Sequence, residues 1–177
     1  GGQTWSGTPA RFGNGAEQLR DGSVLGLDYR CLPIEGKTGY YEVARYFSPD
    51  GQRFDEGRAE MFVPEAKAAM GHSPHVGPLF MRSILQRADG SLAALMGGWF
   101  KSDTALCPYG RGRPYSRTYV CESADGGKTW RYLSTIGYEQ IGSEGFNEAS
   151  MRQLPDGTWL AVLRSGKVNY WTGPKGM

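Results

Sequence analysis

One acidic and one basic residue near the C-terminal end of this 177-residue chain have a spacing that suits joint chemistry. Glu148 opens a strand-like stretch, an Asp156-Gly157 turn follows, and the next stretch ends at Arg164. Antiparallel pairing of the two stretches would bring Glu148 and Arg164 together at one edge. A carboxylate placed there can act as a general base, and a guanidinium can grip a substrate carboxylate with two hydrogen bonds. The alternative is a surface ion pair without a chemical role.

A second pair of candidates lies in the middle of the chain. Arg82 belongs to a strand-like stretch before the Asp89-Gly90 turn, and Asp103 follows the next strand. We expect Arg82 to bind substrate; pairing with an acidic neighbour on the strand is the alternative. We expect Asp103 to act as a general acid, because the aromatic pair before it, Trp99-Phe100, can shield the carboxyl group from water. For Asp103 the alternative is an Asx turn that begins a loop.

The first part of the chain offers two further candidates. Asp28 and Arg30 follow the strand-like stretch that begins at Val24, so they occupy a place similar to that of Arg164. Both are predicted to bind substrate at the same edge. Because residues two apart in a strand share one face, a surface ion pair between them is the alternative.

Three Asp-Gly turns position these candidates. Their glycines, Gly22, Gly90 and Gly157, are 68 and 67 residues apart, and each turn lies between two strand-like stretches. Two more strands follow in the central repeat, so each unit has four antiparallel strands, the composition of one propeller blade. A fixed period of this kind is typical of repeat architectures. The sequence therefore predicts an all-β propeller, with units at about residues 1–60 and 61–140 and an incomplete unit at 141–177.

A turn motif joins the last two strands of the central unit. In Ser123–Trp130, Asp125 can accept hydrogen bonds from nearby backbone N–H groups, and Gly126-Gly127 can adopt positive φ. Trp130 then supplies a packing anchor for the strand that follows. Residues 48–54 form a weaker copy, and residues 1–5 match the last five residues of the motif.

The pattern Ser-x-Asp-x-Gly-x-Thr-Trp resembles the Asp box, or BNR repeat, of the sialidase (neuraminidase) superfamily. The stretch from Asn147 to Arg164 is similar to the sialidase segment that carries a Glu and an Arg, including their spacing of 16 residues. The stretch from Phe80 to Gly90 is similar to the segment that carries the first sialidase Arg. This resemblance implies a six-bladed propeller with about three blades represented here. The rest of the propeller is then needed to close the ring.

The same resemblance implies a function. We expect a sialidase-like exo-glycoside hydrolase that removes a terminal sialic acid or a related acidic sugar from glycans with a retaining mechanism. Glu148 would be the base toward a Tyr nucleophile, Asp103 the acid, and Arg82 and Arg164 two of three arginines that hold the sugar carboxylate. We expect the nucleophile and the third arginine after residue 177. The alternative is a non-catalytic Asp-box propeller that binds glycans or proteins.

Composition limits the partners. A net charge of +2 gives no reason to expect nucleic acid, and no apolar run is long enough for a membrane span. No cofactor or metal is predicted, because His72 and His75 lack a third ligand nearby. The expected partner is a glycan or sialoglycoconjugate, and the resemblance alone implies a secreted or periplasmic location. The three cysteines form either one disulfide and a free thiol or no disulfide.

Overall fold

The computed structural model describes residues 11–67, 77–108 and 112–166. These residues form eleven β-strands, and no α-helix occurs among them. The predicted all-β class is therefore confirmed. In the same ranges there is accordingly no helix with the length and apolar character needed to cross a bilayer.

The first strand group comprises the five strands between residues 15 and 62: β1 (Gly15–Gln18), β2 (Val24–Leu27), β3 (Leu32–Pro33), β4 (Tyr40–Ser48) and β5 (Asp55–Phe62). Four of them form an antiparallel sheet in the order β1-β2-β4-β5. The short strand β3 pairs with the beginning of β4. This order is a simple meander, because each connection joins strands that are neighbours in the sheet.

The second strand group, between residues 79 and 137, repeats this arrangement. It contains β6 (Leu79–Gln86), β7 (Leu92–Gly98), β8 (Arg117–Ser123) and β9 (Thr129–Gly137). All neighbours in this group are antiparallel. The third strand group is the hairpin of β10 (Asn147–Gln153) and β11 (Trp159–Arg164).

A short parallel pairing joins the first two groups into one sheet. Glu60–Phe62 of β5 pairs with Thr129–Arg131 of β9. The two ends of the eight-strand path, β1 and β6, lie against each other, so the sheet is nearly closed and resembles a barrel. Gly15 permits this approach, since a Cβ atom added there would lie 2.9 Å from the Cα atom of Arg82.

Two apolar clusters hold the groups together. One fills the space between the first and second groups, with Leu25, Tyr41 and Met96 among its buried members. The other packs the second group against the third, with Leu95 and Met151 in contact across it. Every residue of β7 is buried because the strand is covered on both faces, which accounts for its continuous apolar sequence.

The three Asp-Gly turns form hairpins of the same kind. In each, the glycine has φ between +87° and +89°. The aspartate carboxylate accepts the N–H of the residue two positions later, at 2.9–3.0 Å. Hydrogen bonds from the hydroxyl and the N–H of that residue lower the pKa of all three carboxyl groups. The hydroxyl has the largest effect at Asp21 and Asp89, and the backbone N–H has the largest effect at Asp156. The turns, and with them the repeat of hairpins, are as predicted.

The motif Ser123–Trp130 also forms the predicted turn, between β8 and β9. Asp125 accepts hydrogen bonds from the backbone N–H groups of Lys128 and Thr129 at 3.0 and 2.9 Å. The Trp130 indole is buried and donates to the carbonyl of Gly127 at 3.1 Å. The weaker copy behaves similarly, since Asp50 accepts the N–H of Gln52 at 2.9 Å.

Candidate functional site

A pocket of about 230 Å³ lies where the three strand groups meet. The first group contributes Tyr29, which follows β2, and the third group contributes Glu148 and Arg164. The second group supplies much of the wall, including Trp99 and the loop that carries Arg113. The volume is a little below the range of drug-sized sites. Of the residues that the sequence predicted, Glu148 and Arg164 line this pocket.

Two strands near this pocket, β10 and β6, each contain a residue with irregular backbone geometry. Glu148 has φ of +40° at a register shift between Asn147 and Ser150 in β10. Arg82 has φ of +65° at a register shift between Phe80 and Ile84 in β6. Such bulges re-aim a side chain, and backbone strain of this type concentrates at functional sites. Both residues were predicted from the sequence as site residues.

Arg164 is the centre of a polar network. Its Nε atom lies 3.1 Å from Glu148 Oε2 and 3.0 Å from Asn147 Oδ1. Its Nη2 atom forms an ion pair with Glu144 Oε1. The predicted proximity of Glu148 and Arg164 is thus present, but the guanidinium already holds two carboxylates. It therefore has less capacity for a substrate carboxylate than the sequence alone suggests.

The charge of Glu148 affects the pKa of Tyr29. Burial raises the pKa of the Tyr29 phenol, and the negative charge of Glu148 raises it further. Positive charges oppose this effect, in the order Arg82, Arg30 and Arg113. The pKa of Tyr29 therefore depends on one carboxylate and three guanidinium groups near this pocket.

Arg82, Arg30 and Asp28 lie beside the pocket rather than in its wall. Arg82 and Arg30 are exposed. The backbone of Arg30 forms an isolated antiparallel β-bridge with Leu79 at the beginning of β6. Both guanidinium groups are near enough to affect the pKa of Tyr29. Asp28 accepts the backbone N–H of Tyr29 at 2.8 Å, so it orders the segment that carries the tyrosine.

Asp103 is shielded from water, as expected from the sequence, but it is bound to an arginine that the sequence analysis did not consider. Its side chain is 1% exposed and forms a bidentate ion pair with Arg117, with Oδ2 2.9 Å from Nε. It also accepts the N–H of Phe100 at 2.7 Å. The Arg117 guanidinium is stacked between the rings of Phe100 and Tyr138, at 4.3 and 4.2 Å. Asp103 is not among the residues of the pocket wall, and its expected role as the general acid stays a prediction.

The sequence analysis missed several polar residues of the pocket wall. Glu144 lies in an irregular segment before β10 and shows no motif of its own. Arg113 lies in a loop without a recognised motif, and Tyr29 is one of ten tyrosines in the chain. The signal that was available for Tyr29 is its position between Asp28 and Arg30, directly after a strand that follows an Asp-Gly turn.

The described residues contain no group of three side chains suited to a metal ion. His72 and His75 lie outside the described residues. The three cysteines, Cys31, Cys107 and Cys121, are buried thiols, and Cys107 lines the pocket.

Comparison with known proteins shows a shared fold. No model of a known protein family matches the sequence, and no curated protein matches it. A crystal structure of a protein of unknown function from Dyadobacter fermentans DSM 18053 is similar, with a TM-score of 0.53 at 18% sequence identity. The match covers 85% of this chain and 42% of that chain, so this chain spans less than half of that protein. A likeness at this identity concerns the fold alone.

Proposed function

We propose that the three strand groups are blades of an Asp-box β-propeller whose pocket hydrolyses a terminal sialic acid or related acidic sugar. Support for the propeller comes from the repeated Asp-Gly hairpins and from the inner strands, since β6 lies against both β1 and β10. Support for the activity comes chiefly from one observation. Tyr29 and Glu148 line the same pocket while the charges of Arg82, Arg30 and Arg113 reach the tyrosine.

The charge distribution orients the proposed substrate. Arg164 is neutralised by Glu144 and Glu148 on one side of the pocket. The carboxylate of the sugar is then expected to be held by Arg82, Arg30 and Arg113, whose charges act on Tyr29. Guanidinium groups suit this role because their planar fork binds a carboxylate with two hydrogen bonds. In that orientation the anomeric carbon faces Tyr29 and Glu148.

The proposed reaction retains configuration and uses a tyrosine nucleophile, a known exception to the scheme of two carboxylates. In this proposal Tyr29 replaces the nucleophile that the family resemblance places after residue 177. The Tyr29 oxygen attacks the anomeric carbon while its proton passes to the Glu148 carboxylate. The glycosidic bond breaks, and the aglycone oxygen leaves with the bonding electrons. Water then attacks the anomeric carbon of the glycosyl-tyrosine, and the protonated Glu148 returns its proton to the departing Tyr29 oxygen. The proton of the water passes to solvent, so both residues regain their starting forms. An aryl aglycone leaves as a stable phenolate, so its release does not require an acid such as Asp103.

Hydrolysis of 4-methylumbelliferyl α-N-acetylneuraminide tests this proposal. We expect turnover by the wild-type protein and a loss of about 100-fold or more in Glu148→Gln, which removes the base but keeps the shape. Glu139→Gln is the control, since Glu139 is exposed and does not line the pocket. Fluorogenic uronides and sulfated sugars identify the preferred acidic sugar. Absence of hydrolysis of every acidic glycoside by the wild-type protein would overturn the enzymatic proposal.

A non-catalytic function is the second candidate, and the position of Asp103 favours it. With Asp103 held by Arg117, no general acid is assigned among the described residues of the pocket. A binding propeller would bind N-acetylneuraminic acid without turnover. Calorimetry would then find the same affinity in Glu148→Gln and a large loss in Arg82→Gln. Hydrolysis that depends on Glu148 would exclude this candidate.

A further inference from the structure

Glu144 differs from Glu148 in how firmly it is held. The Glu144 side chain is 14% exposed, whereas that of Glu148 is 68% exposed. Both carboxylates contact Arg164, but they contact different nitrogen atoms of its guanidinium group, Nη2 for Glu144 and Nε for Glu148. The two contacts are therefore separable by experiment.

The backbone around Glu144 is attached to the beginning of β8. The carbonyl of Glu144 accepts hydrogen bonds from the N–H and the Oγ of Ser116, at 2.8 and 2.7 Å. The carbonyl of Phe146 accepts the hydroxyl groups of Ser116 and Thr118, both at 3.1 Å. Gly145, between them, has φ of +78°, and a Cβ atom added there would lie 2.5 Å from the Ser116 carbonyl oxygen. This segment thus has little freedom to shift relative to the second strand group.

The backbone of Arg164 pairs with Asn147, but its long side chain extends beyond that pairing. Its side chain is 40% exposed and lies near the end of β11, which belongs to a two-stranded sheet. A long side chain in such a place adopts one geometry only when fixed partners hold it. Of the two carboxylates that contact Arg164, Glu144 has the more buried side chain.

We infer that Glu144 is a positioning residue: it fixes Arg164, and through Arg164 it orients the carboxylate of Glu148. Outer partners of this kind commonly set the geometry of a reactive group. The catalytic meaning of this inference rests on the proposed function. The mechanical part states that Glu144 stabilises the contacts of Arg164 Nε, and it does not depend on the proposed function.

Nuclear magnetic resonance tests the mechanical part without any activity. The Nε–H of Arg164 donates to Asn147 Oδ1, and Nε forms an ion pair with Glu148 but not with Glu144. Its exchange with solvent therefore reports whether these contacts persist. We expect Glu144→Gln to increase this exchange rate at least about fivefold, the factor that corresponds to about 1 kcal/mol. Glu139→Gln serves as the matched control and should leave the rate unchanged. An unchanged rate in Glu144→Gln, with the fold intact, would overturn the inference.

A double-mutant cycle tests the catalytic part. We expect Glu144→Gln and Arg164→Gln each to lower kcat by about 10- to 100-fold, with KM changed less than about threefold. If Glu144 acts through Arg164, the double variant is no slower than Arg164→Gln alone. Additive losses would contradict the inference. A wild-type protein without turnover would instead contradict the proposed function, and the exchange measurement would still decide the role of Glu144.

Discussion

Arg82 and Glu148 share a backbone conformation that is rare for residues with a side chain. They are the two non-glycine residues with positive φ in the described part of the chain, at +65° and +40°. Each lies at a register shift, Arg82 in β6 and Glu148 in β10. These two strands contact each other. A positive φ costs an ordinary residue about 1–2 kcal/mol. The fold therefore holds Glu148 in the pocket wall and Arg82 beside it at the expense of local stability.

The first prediction concerns this strain. Glycine has no Cβ atom, so Glu148→Gly relieves the strain that Glu148→Ala retains. We expect Glu148→Gly to be more stable than Glu148→Ala by about 1 kcal/mol in urea unfolding, while both variants lose hydrolysis. Arg152, an exposed residue of β10 that is absent from the positive-φ set, gives the control. There glycine should be less stable than alanine by about 0.5–1 kcal/mol. The same order of stability at both positions would contradict strain at Glu148.

The second prediction separates structure from chemistry at Asp103. Asp103→Asn leaves the buried Arg117 guanidinium without its counter-charge, so we expect a loss of about 3 kcal/mol in the free energy of unfolding. Asp55→Asn, at an exposed position, should change stability by less than about 0.5 kcal/mol. Below its unfolding transition, folded Asp103→Asn should hydrolyse an aryl sialoside within about fivefold of the wild-type rate. A loss of activity without a loss of stability would restore Asp103 as the acid.

The third prediction concerns Tyr29. Tyr29→Phe removes only the phenol oxygen, so the packing of the ring against the pocket wall should persist. If Tyr29 is the nucleophile, kcat should fall by about 1,000-fold or more. Tyr40→Phe, on the first strand group and away from the pocket, should retain wild-type kinetics. Wild-type turnover by Tyr29→Phe would show that Tyr29 is not the nucleophile and contributes only the packing of its ring.

The fourth prediction concerns the acid stability of the Asp-box turn. Partial burial acts to raise the pKa of Asp125, but the hydrogen bonds from Thr129, Ser123 and Lys128 outweigh it and lower the pKa from 3.8 to about 2. A carboxyl group whose pKa is lowered by folding contributes stability above the unfolded pKa. That contribution is lost as the pH falls from 3.8 through about 2.

We therefore expect Asp125→Asn to be less stable than the wild type by about 1–2 kcal/mol at neutral pH. The difference between the two proteins should shrink between pH 4 and pH 2. Urea unfolding at several pH values measures it. Asp21, Asp89 and Asp156 remain in both proteins, so only the difference is informative. A difference that stays constant over this range would contradict the proposed origin of the turn's stability.

Local features of the fold were predictable from the sequence because they depend on neighbouring residues. An Asp-Gly pair between two strand-like stretches specifies a hairpin, since the carboxylate caps the turn and glycine accepts positive φ. The proximity of Glu148 and Arg164 follows from the Asp156-Gly157 hairpin between them. The positive φ of Glu148 was not predictable, because only packing between strand groups stabilises it.

Residues that act across strand groups escaped prediction. Glu144 reaches Arg164 only because Ser116, 28 residues earlier in the chain, holds its backbone. Arg117 removes Asp103 from the pocket through an ion pair between the end of a loop and the beginning of β8. Neither pairing leaves a periodic or motif-like trace in the sequence.

By itself, the sequence determined the all-β class, the repeated hairpins and the strand ends at which reactive residues could lie. Those properties arise from turn chemistry and strand periodicity, which act over a few residues. The tertiary structure decided which of these residues share a pocket: Tyr29 and Glu148 do, and Asp103 does not. It also decided that Arg164 is neutralised by Glu144. These outcomes depend on how three strand groups pack, and packing joins residues that are far apart in the chain.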